Sequence, residues 1–293
     1  MNLSSCLTTT TVEFFPDLKN DDVSFIGKEM SLEIKLRIKN FLDKIRKIAK
    51  TSLKAKIRTQ NSFPASVGIA SSASGFAALT LAFASALGLK LSGKDLSMIA
   101  RLGSGSASRS LPDGFTYWHN GTDTNNSYAQ SLYPPAHWDL YDIIAIISEE
   151  KKQFSSGFGH NLVRTSPYFS TRLKILPLRI NKIIKALKEK NIRLLGETIE
   201  EEAIDLHIIA MTSKPPVFYW EGHTLELIKS IRNWRDEGIG AYFTIDAGPN
   251  IHIICENNEK EKVLKKLSSI PYILKTIINK PSVGAYLTDS HLF

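Results

Sequence analysis

The stretch Asn61-Ser-Phe-Pro-Ala-Ser-Val-Gly-Ile-Ala-Ser-Ser-Ala-Ser-Gly-Phe-Ala-Ala-Leu-Thr80 sets the reading of this chain. Pro64 and Gly68 shape a loop, and Ala70, Ser71, Ser72 and Ala73 are small enough for a polyphosphate to approach the backbone. From Ser72 to Leu89 the residues are small or apolar on nearly every face, the pattern of a helix through the middle of a domain. The first N–H groups of such a helix lack intrahelical acceptors and sit at the positive end of its dipole, which makes a ready anion site. No Gly-Lys-Ser/Thr follows, so this is not a Walker loop, and it is not a dinucleotide fingerprint. Without further context the same pattern is plain helix packing more often than a phosphate site.

Around this stretch, strands and helices mix without regular alternation. Strands are expected at Leu7–Phe15, Val23–Ile26 and Lys54–Gln60, with an amphipathic helix over Leu32–Thr51. A helix over Ser92–Arg101 has Ser92 as its cap. A second glycine-serine segment follows at Gly103–Arg109, then short strands at Phe115–Trp118 and Tyr128–Ser131. Beyond Pro134-Pro135, a buried strand within Leu140–Ile147 leads through a loop to Ser156. Helices are expected near Tyr168–Lys190, Ile192–Met211, Thr224–Glu237 and Lys260–Ser268, and strands at Tyr242–Asp246 and Ile251–Cys255. The pattern predicts two α+β domains, residues 1–137 and 138–293.

The chain has 293 residues, 43% of them hydrophobic, enough for a large core. Its net charge of +8 favours acidic partners, and much of the excess falls between Lys35 and Arg58 at helical spacing. Ile38, Leu42, Ile45 and Ile48 interleave with those charges, which reads as a solvated helix face rather than a nucleic-acid surface. A polyphosphate ligand accounts for the surplus as well as nucleic acid does. Cys6 and Cys255, the two cysteines, form no disulfide framework, so a reducing cytoplasm is expected. No apolar run reaches the ~18–20 residues of a membrane span, and Met1–Thr8 lacks the character of a signal peptide. No His/Cys/Asp cluster has metal-ligand spacing, so no protein-built metal site is expected.

Three segments in order carry a family resemblance. Phe63–Ala78 resembles the phosphate loop of the GHMP small-molecule kinases. Gly103-Ser-Gly-Ser-Ala-Ser-Arg-Ser110 and Thr244-Ile-Asp-Ala-Gly-Pro-Asn250 resemble two segments of one branch, the diphosphomevalonate decarboxylases. Arg164-Thr-Ser-Pro-Tyr168 and Pro215-Pro-Val-Phe-Tyr-Trp220 are similar to further family segments. The resemblance implies a ribosomal protein S5 domain 2-like N-terminal domain and a ferredoxin-like C-terminal domain, with the site in the cleft between them. It implies ATP as co-substrate, Mg2+, and a cytoplasmic homodimer acting on a small molecule, with no nucleic acid or membrane partner. The implied reaction phosphorylates the 3-hydroxyl of mevalonate 5-diphosphate and releases phosphate and carbon dioxide. Isopentenyl diphosphate, an isoprenoid precursor, remains.

Each site residue has a physical reason to fit its implied role. Asp246 follows an apolar strand and matches the family's catalytic aspartate, placed to orient or deprotonate the tertiary alcohol; read alone, it is a turn residue before Ala-Gly-Pro-Asn. Arg109 matches the catalytic arginine, and a guanidinium makes a two-pronged contact with a carboxylate. Ser104, Gly105, Ser106, Ala107 and Ser108, with Arg109, match the substrate-binding segment, and Ser156 and Gly157 match a further diphosphate contact. Gly68, Ala70, Ser71 and Ser72 would cradle ATP, with Ser72 able to reach a metal-bound phosphate oxygen. Arg37 is a weaker diphosphate candidate, and His207 reads as a core histidine that could also orient groups behind the site. Ser108 stands where Cys is commoner in the family.

One departure is expected to matter. The family opens with a Tyr-Trp-Gly-Lys-like motif whose lysine and tyrosine contact substrate, whereas this sequence starts within the following strand, at Asn2-Leu-Ser-Ser5. Gly27-Lys28 is a superficial echo that falls after the Leu7–Phe15 strand. An upstream start and a catalytically degraded nucleotide-binding relative both fit that observation. A phosphomevalonate decarboxylase or a mevalonate 3-kinase also stays open, because such relatives share these loops.

Overall fold

The computed structural model describes residues 1–63, 71–123, 125–150, 154 and 156–293. They fall into two units, each with its own core. In the first, β1 (Thr8–Phe15), β2 (Asp22–Phe25) and β3 (Lys54–Asn61) form a sheet of order β1-β3-β2. The β1–β3 pair is antiparallel, with Val12 opposite Ile57, and β2 runs parallel to β3. One face takes α1 (Leu32–Ala49), which buries Phe41, Leu42 and Ile45. Ser31 caps α1 by accepting from the Ile34 amide, and Lys50 ends it in the left-handed conformation.

The helix expected after the phosphate loop is α2 (Ser71–Ala86). Phe76, Ala77 and Phe83 bury it in the same core as α1 and β3, as all-round apolar character requires. Then comes α3 (Gly93–Arg101), held at its start by a reciprocal Ser92–Asp95 capping box. The glycine-serine segment is a six-residue 3₁₀ turn, Gly105–Ser110. After it, β4 (Phe115–His119) and β5 (Tyr128–Tyr133) pair antiparallel.

The second unit is built on β6 (Leu140–Ile146), whose residues are all buried. It is central in a sheet of order β7-β8-β6-β9, with β7 Ala241–Thr244, β8 Ile251–Glu256 and β9 Lys275–Asn279. The remaining helices are α4 (Ser156–Leu162), α5 (Phe169–Glu189), α6 (Ile192–Met211), α7 (Gly222–Asp236) and α8 (Lys260–Ser268). Ile231 and Trp234 of α7 and Val263 of α8 join Ile143, Phe243 and Ile253 of the sheet in one cluster. The edge strand β7 is also tied down by polar contacts. Glu200 of α6 accepts from the Phe243 amide at 3.1 Å and from Arg235 of α7 at 2.7 and 3.0 Å.

Three sequence expectations change. The chain end, expected to close the second domain, belongs with the first unit from Pro281 to Phe293. Its backbone explains this: Leu3 bridges Pro281, Gly114 donates to Ser282 at 2.9 Å, and Ala285 donates to Ser110 at 2.8 Å. Gly284 is needed there because a Cβ would fall 2.1 Å from the Leu111 carbonyl oxygen. The strand expected to run to Asp246 stops at Thr244, since the Asp246 carbonyl turns back to accept from Gly248 at 2.9 Å. Finally, the sequence reading has no strand at β9; its Lys275-Thr-Ile-Ile-Asn279 is short, exposed at Lys275 and Ile278 and buried only at Asn279.

Candidate active site

In the first unit the two phosphate-type segments meet. Ser71 and Ser72 open α2, and Ser72 Oγ lies 3.3 Å from Ser104 Oγ, just before the 3₁₀ turn. Gly68 and Ala70, the other expected ATP contacts, lie outside the described residues. Gly103 packs so closely that a Cβ there would sit 2.2 Å from the Phe76 ring. Its carbonyl accepts from Arg37 Nε at 3.1 Å and Nη2 at 2.8 Å, while the guanidinium lies 4.9 Å from the Phe76 ring centre. Arg37, though on an exposed face, therefore grips the start of the Gly103–Arg109 segment. Partial burial moves its pKa downward, opposed by Glu33.

The turn itself divides into two sets. Ala107 and Ser108 are fully buried, and Ser108 Oγ donates to the Gly105 carbonyl at 2.7 Å. The Ser108 carbonyl in turn accepts from Ser97 of α3 at 3.0 Å. Both side chains therefore shape the segment from inside, so the substrate contact expected of Ala107 and Ser108 would run through their backbone. Gly105 and Ser106 are half-buried and Arg109 is exposed. Trp118 of β4 braces this outer set. Its ring would lie 3.1 Å from a Cβ on Gly105, Arg109 stands 5.8 Å from its centre, and its indole N–H donates to Ser127 at 3.0 Å. A lone tryptophan eight residues after the turn carried no sequence signal for this role.

In the second unit Asp246 is exposed while its neighbour Ile245 is core. The turn after it is clamped from two directions. Asn250 is buried, accepts from the Ile147 and Ser148 amides at 2.7 and 3.1 Å, and donates to the Ser148 carbonyl at 3.1 Å. Thr224 of α7 donates to the Pro249 carbonyl at 2.9 Å. These bonds fix the backbone on which the carboxylate stands.

Behind Asp246 is His207, almost fully buried. Its Nδ1 meets the Ala203 carbonyl at 2.7 Å and its ring stacks on Trp220 at 4.6 Å. Burial pushes its pKa down, against the Ala203 carbonyl and Asp246, so the ring is neutral at physiological pH. Tyr219 meets His207 edge-on at 6.1 Å and closes against α4, where a Cβ on Gly159 would lie 2.5 Å from its hydroxyl. The chain of contacts Gly159, Tyr219, His207 thus connects the helix opened by Ser156 and Gly157 to the Asp246 turn.

The described residues contain no group of three or more His, Cys, Asp or Glu side chains able to hold a metal. The hard oxygens available, such as Ser72 Oγ, suit a Mg2+ held chiefly by nucleotide phosphates rather than by a protein cage.

Comparison with known proteins gives this arrangement its context. Residues 1–129 match the diphosphomevalonate decarboxylase-like N-terminal domain, and residues 142–283 match the mevalonate 5-diphosphate decarboxylase C-terminal domain. The diphosphomevalonate decarboxylase of Candida albicans is 33% identical over 276 residues, covering 89% of this chain and 76% of the relative. The chain belongs to the diphosphomevalonate decarboxylase family. The crystal structure of mevalonate diphosphate decarboxylase from Staphylococcus aureus superposes with a TM-score of 0.92 at 33% identity, covering 97% of this chain and 86% of that one. A structure of MDDEF in complex with MVAPP, AMPPCP and magnesium gives 0.89 at 33% identity, covering 96% and 87%. The family is one of two-domain GHMP-type enzymes, and the fold class expected from the sequence is the one found.

Proposed function

We propose that this chain catalyses the ATP-dependent decarboxylation of mevalonate 5-diphosphate to isopentenyl diphosphate. The observation that supports this reading most is the pairing of family membership over both domains with an exposed Arg109 and an exposed Asp246, each on a braced backbone. Asp246 accepts the proton of the 3-hydroxyl as that oxygen attacks the γ-phosphorus, and ADP leaves. The C3–O bond then breaks with loss of phosphate. The electrons of the C1–C2 bond form the C2=C3 double bond, and carbon dioxide departs. Arg109 holds the carboxylate so that this bond is aligned with the leaving group.

Ser71 and Ser72, with Gly68 and Ala70, take the ATP phosphates at the start of α2. Ser104, Gly105 and Ser106 take the substrate diphosphate, with a further contact from Ser156 and Gly157. Ser72 is the protein oxygen we assign to Mg2+, whose bound charge would offset that of the phosphates. Arg37 acts on the substrate segment through the Gly103 carbonyl. We further propose a cytoplasmic homodimer working on this small molecule and not on nucleic acid.

The test compares mevalonate, its 5-phosphate and its 5-diphosphate as substrates, following phosphate and carbon dioxide together. The reading expects the highest kcat/KM with the diphosphate. Preference for the monophosphate would make this a phosphomevalonate decarboxylase, and phosphate transfer without carbon dioxide a 3-kinase.

A further inference from the structure

The second unit's sheet has a core face and an opposite face. Phe243 and Ile245, Ile251 and Ile253, and Ile143 and Ala145 all belong to the core cluster. Side chains alternate along a strand, so Asp142 of β6, His252 of β8 and Thr244 of β7 share the opposite face; Asp246 follows two residues after the end of β7, with the core residue Ile245 between. Thr244 is the register partner of His252, while Asp142 pairs with Ile254, two residues along β8. That diagonal lets the carboxylate reach the ring: His252 Nδ1 lies 3.0 and 3.1 Å from the two Asp142 oxygens. The two side chains are 11% and 8% exposed. In the order β7-β8-β6, His252 stands between Asp142 and the strand leading to Asp246.

We propose that His252, fixed by Asp142, is a positioning residue for Asp246: a cation set in the sheet that attracts and orients the carboxylate serving the substrate hydroxyl. The proposal rests on the reading of Asp246 given above. Asp142 and Asp246 both favour the charged ring, which is pushed up to about 9 despite burial, so it is an imidazolium at neutral pH. Isoleucines occupy neighbouring places on this face, Ile144 and Ile254, and both are buried. Packing alone would be served by another apolar residue, since a buried ion pair is costly to desolvate. What the pair adds is a field at the end of β7. Among the described residues, Asp142 and Asp246 are the charged groups acting on His252, and the neutral His207 of α6 is a further titratable group coupled to Asp246.

The test uses the full chain with His252→Gln, His252→Lys, Asp142→Asn and, as a reference, Asp246→Asn. His252→Gln is expected to lower kcat about tenfold, leave the KM for ATP within about twofold, and move the acidic limb of the kcat–pH profile up by about one unit. His252→Lys restores the charge and should recover both kcat and the limb. Asp142→Asn keeps the ring but removes its partner, so its activity should fall from about pH 7 upward, where the parent holds to about pH 9. Equal loss in the Gln and Lys variants, with an unmoved acidic limb, would overturn the proposal and leave the pair a packing element. An active Asp246→Asn would instead remove the reading of Asp246 itself. An inactive Asp246→Asn beside a parent-like His252→Gln would sink only the positioning role. If His252→Gln does not fold, the profile of Asp142→Asn decides alone: a parent-like alkaline limb there contradicts the proposal.

Discussion

Ser72 Oγ, in the first turn of α2, lies 3.3 Å from Ser104 Oγ at the entry to the 3₁₀ turn. The segments proposed for nucleotide and for substrate are therefore neighbours through their hydroxyls, not only through the core beneath them. Ser72→Ala and Ser104→Ala should each weaken both ligands. A double-mutant cycle on the affinities for an ATP analogue and for mevalonate 5-diphosphate should show coupling of ~0.5–1.5 kcal/mol. Additive effects, each confined to one ligand, would contradict the link.

Gly103→Ala tests the packing that carries the same segment. The new methyl would overlap the Phe76 ring, which is itself held between α1 and the core. Overpacking of this kind costs ~1–3 kcal/mol, and it should also displace the carbonyl gripped by Arg37. Urea unfolding should show a lower midpoint, and the KM for the diphosphate substrate should rise. An unchanged midpoint would mean that Phe76 moves aside freely.

Asp246→Asn should lower turnover by ~10²–10⁴-fold while ATP binding and the melting temperature stay near those of the parent. The side chain is exposed and its backbone is held by Asn250 and Thr224, neither of which needs the carboxylate. Activity within a few-fold of the parent would return Asp246 to a turn role. In the companion variant Arg109→Lys, phosphate and carbon dioxide release should fall together, since lysine keeps the charge but loses the two-pronged grip. Weakened ATP binding alone would move Arg109 to the nucleotide side.

Stability should depend on pH through His252. Its folded pKa of about 9 stands above the ordinary value near ~6.5. A raised pKa means that the folded state holds the proton more tightly, so its stabilising contribution is complete below pH ~6.5 and is lost as pH rises toward 9. Melting temperature should fall between pH 6.5 and 8.5 in the parent and stay flatter in His252→Gln. Burial pushes the Cys255 thiol up to about 12, and that group adds a slope of its own only above the ordinary thiol range, near ~8.5. Equal slopes in the two proteins would assign the pH dependence to other groups.

Much of this was legible in the sequence because local rules and global packing agree. The small-residue run after Phe63 specified the buried helix α2, and Ser92 marked the start of α3, where the structure adds the reciprocal bond from Asp95. The Ala-Gly-Pro-Asn connector announced a turn, though not that Asn250 would staple it to Ile147 and Ser148, just past the end of β6. What stayed hidden depends on pairing across long separations. Trp118 under Gly105, Glu200 under Phe243, and Asp142 beside His252 come from different elements, and no local spacing links them. The return of Pro281–Phe293 to the first unit is of the same kind, being fixed by backbone bonds to Asn2, Ser110 and Gly114. Ala107 and Ser108, read in sequence only as part of the substrate-binding segment, are interior residues of a 3₁₀ turn.

The most direct measurement is product analysis of the purified chain with ATP, Mg2+ and mevalonate 5-diphosphate, by phosphorus and proton NMR with carbon dioxide trapping. The account predicts isopentenyl diphosphate together with ADP, phosphate and carbon dioxide in equal amounts. ATP bound to saturation with no isopentenyl diphosphate formed, or a stable 3-phosphorylated product without carbon dioxide, would contradict it.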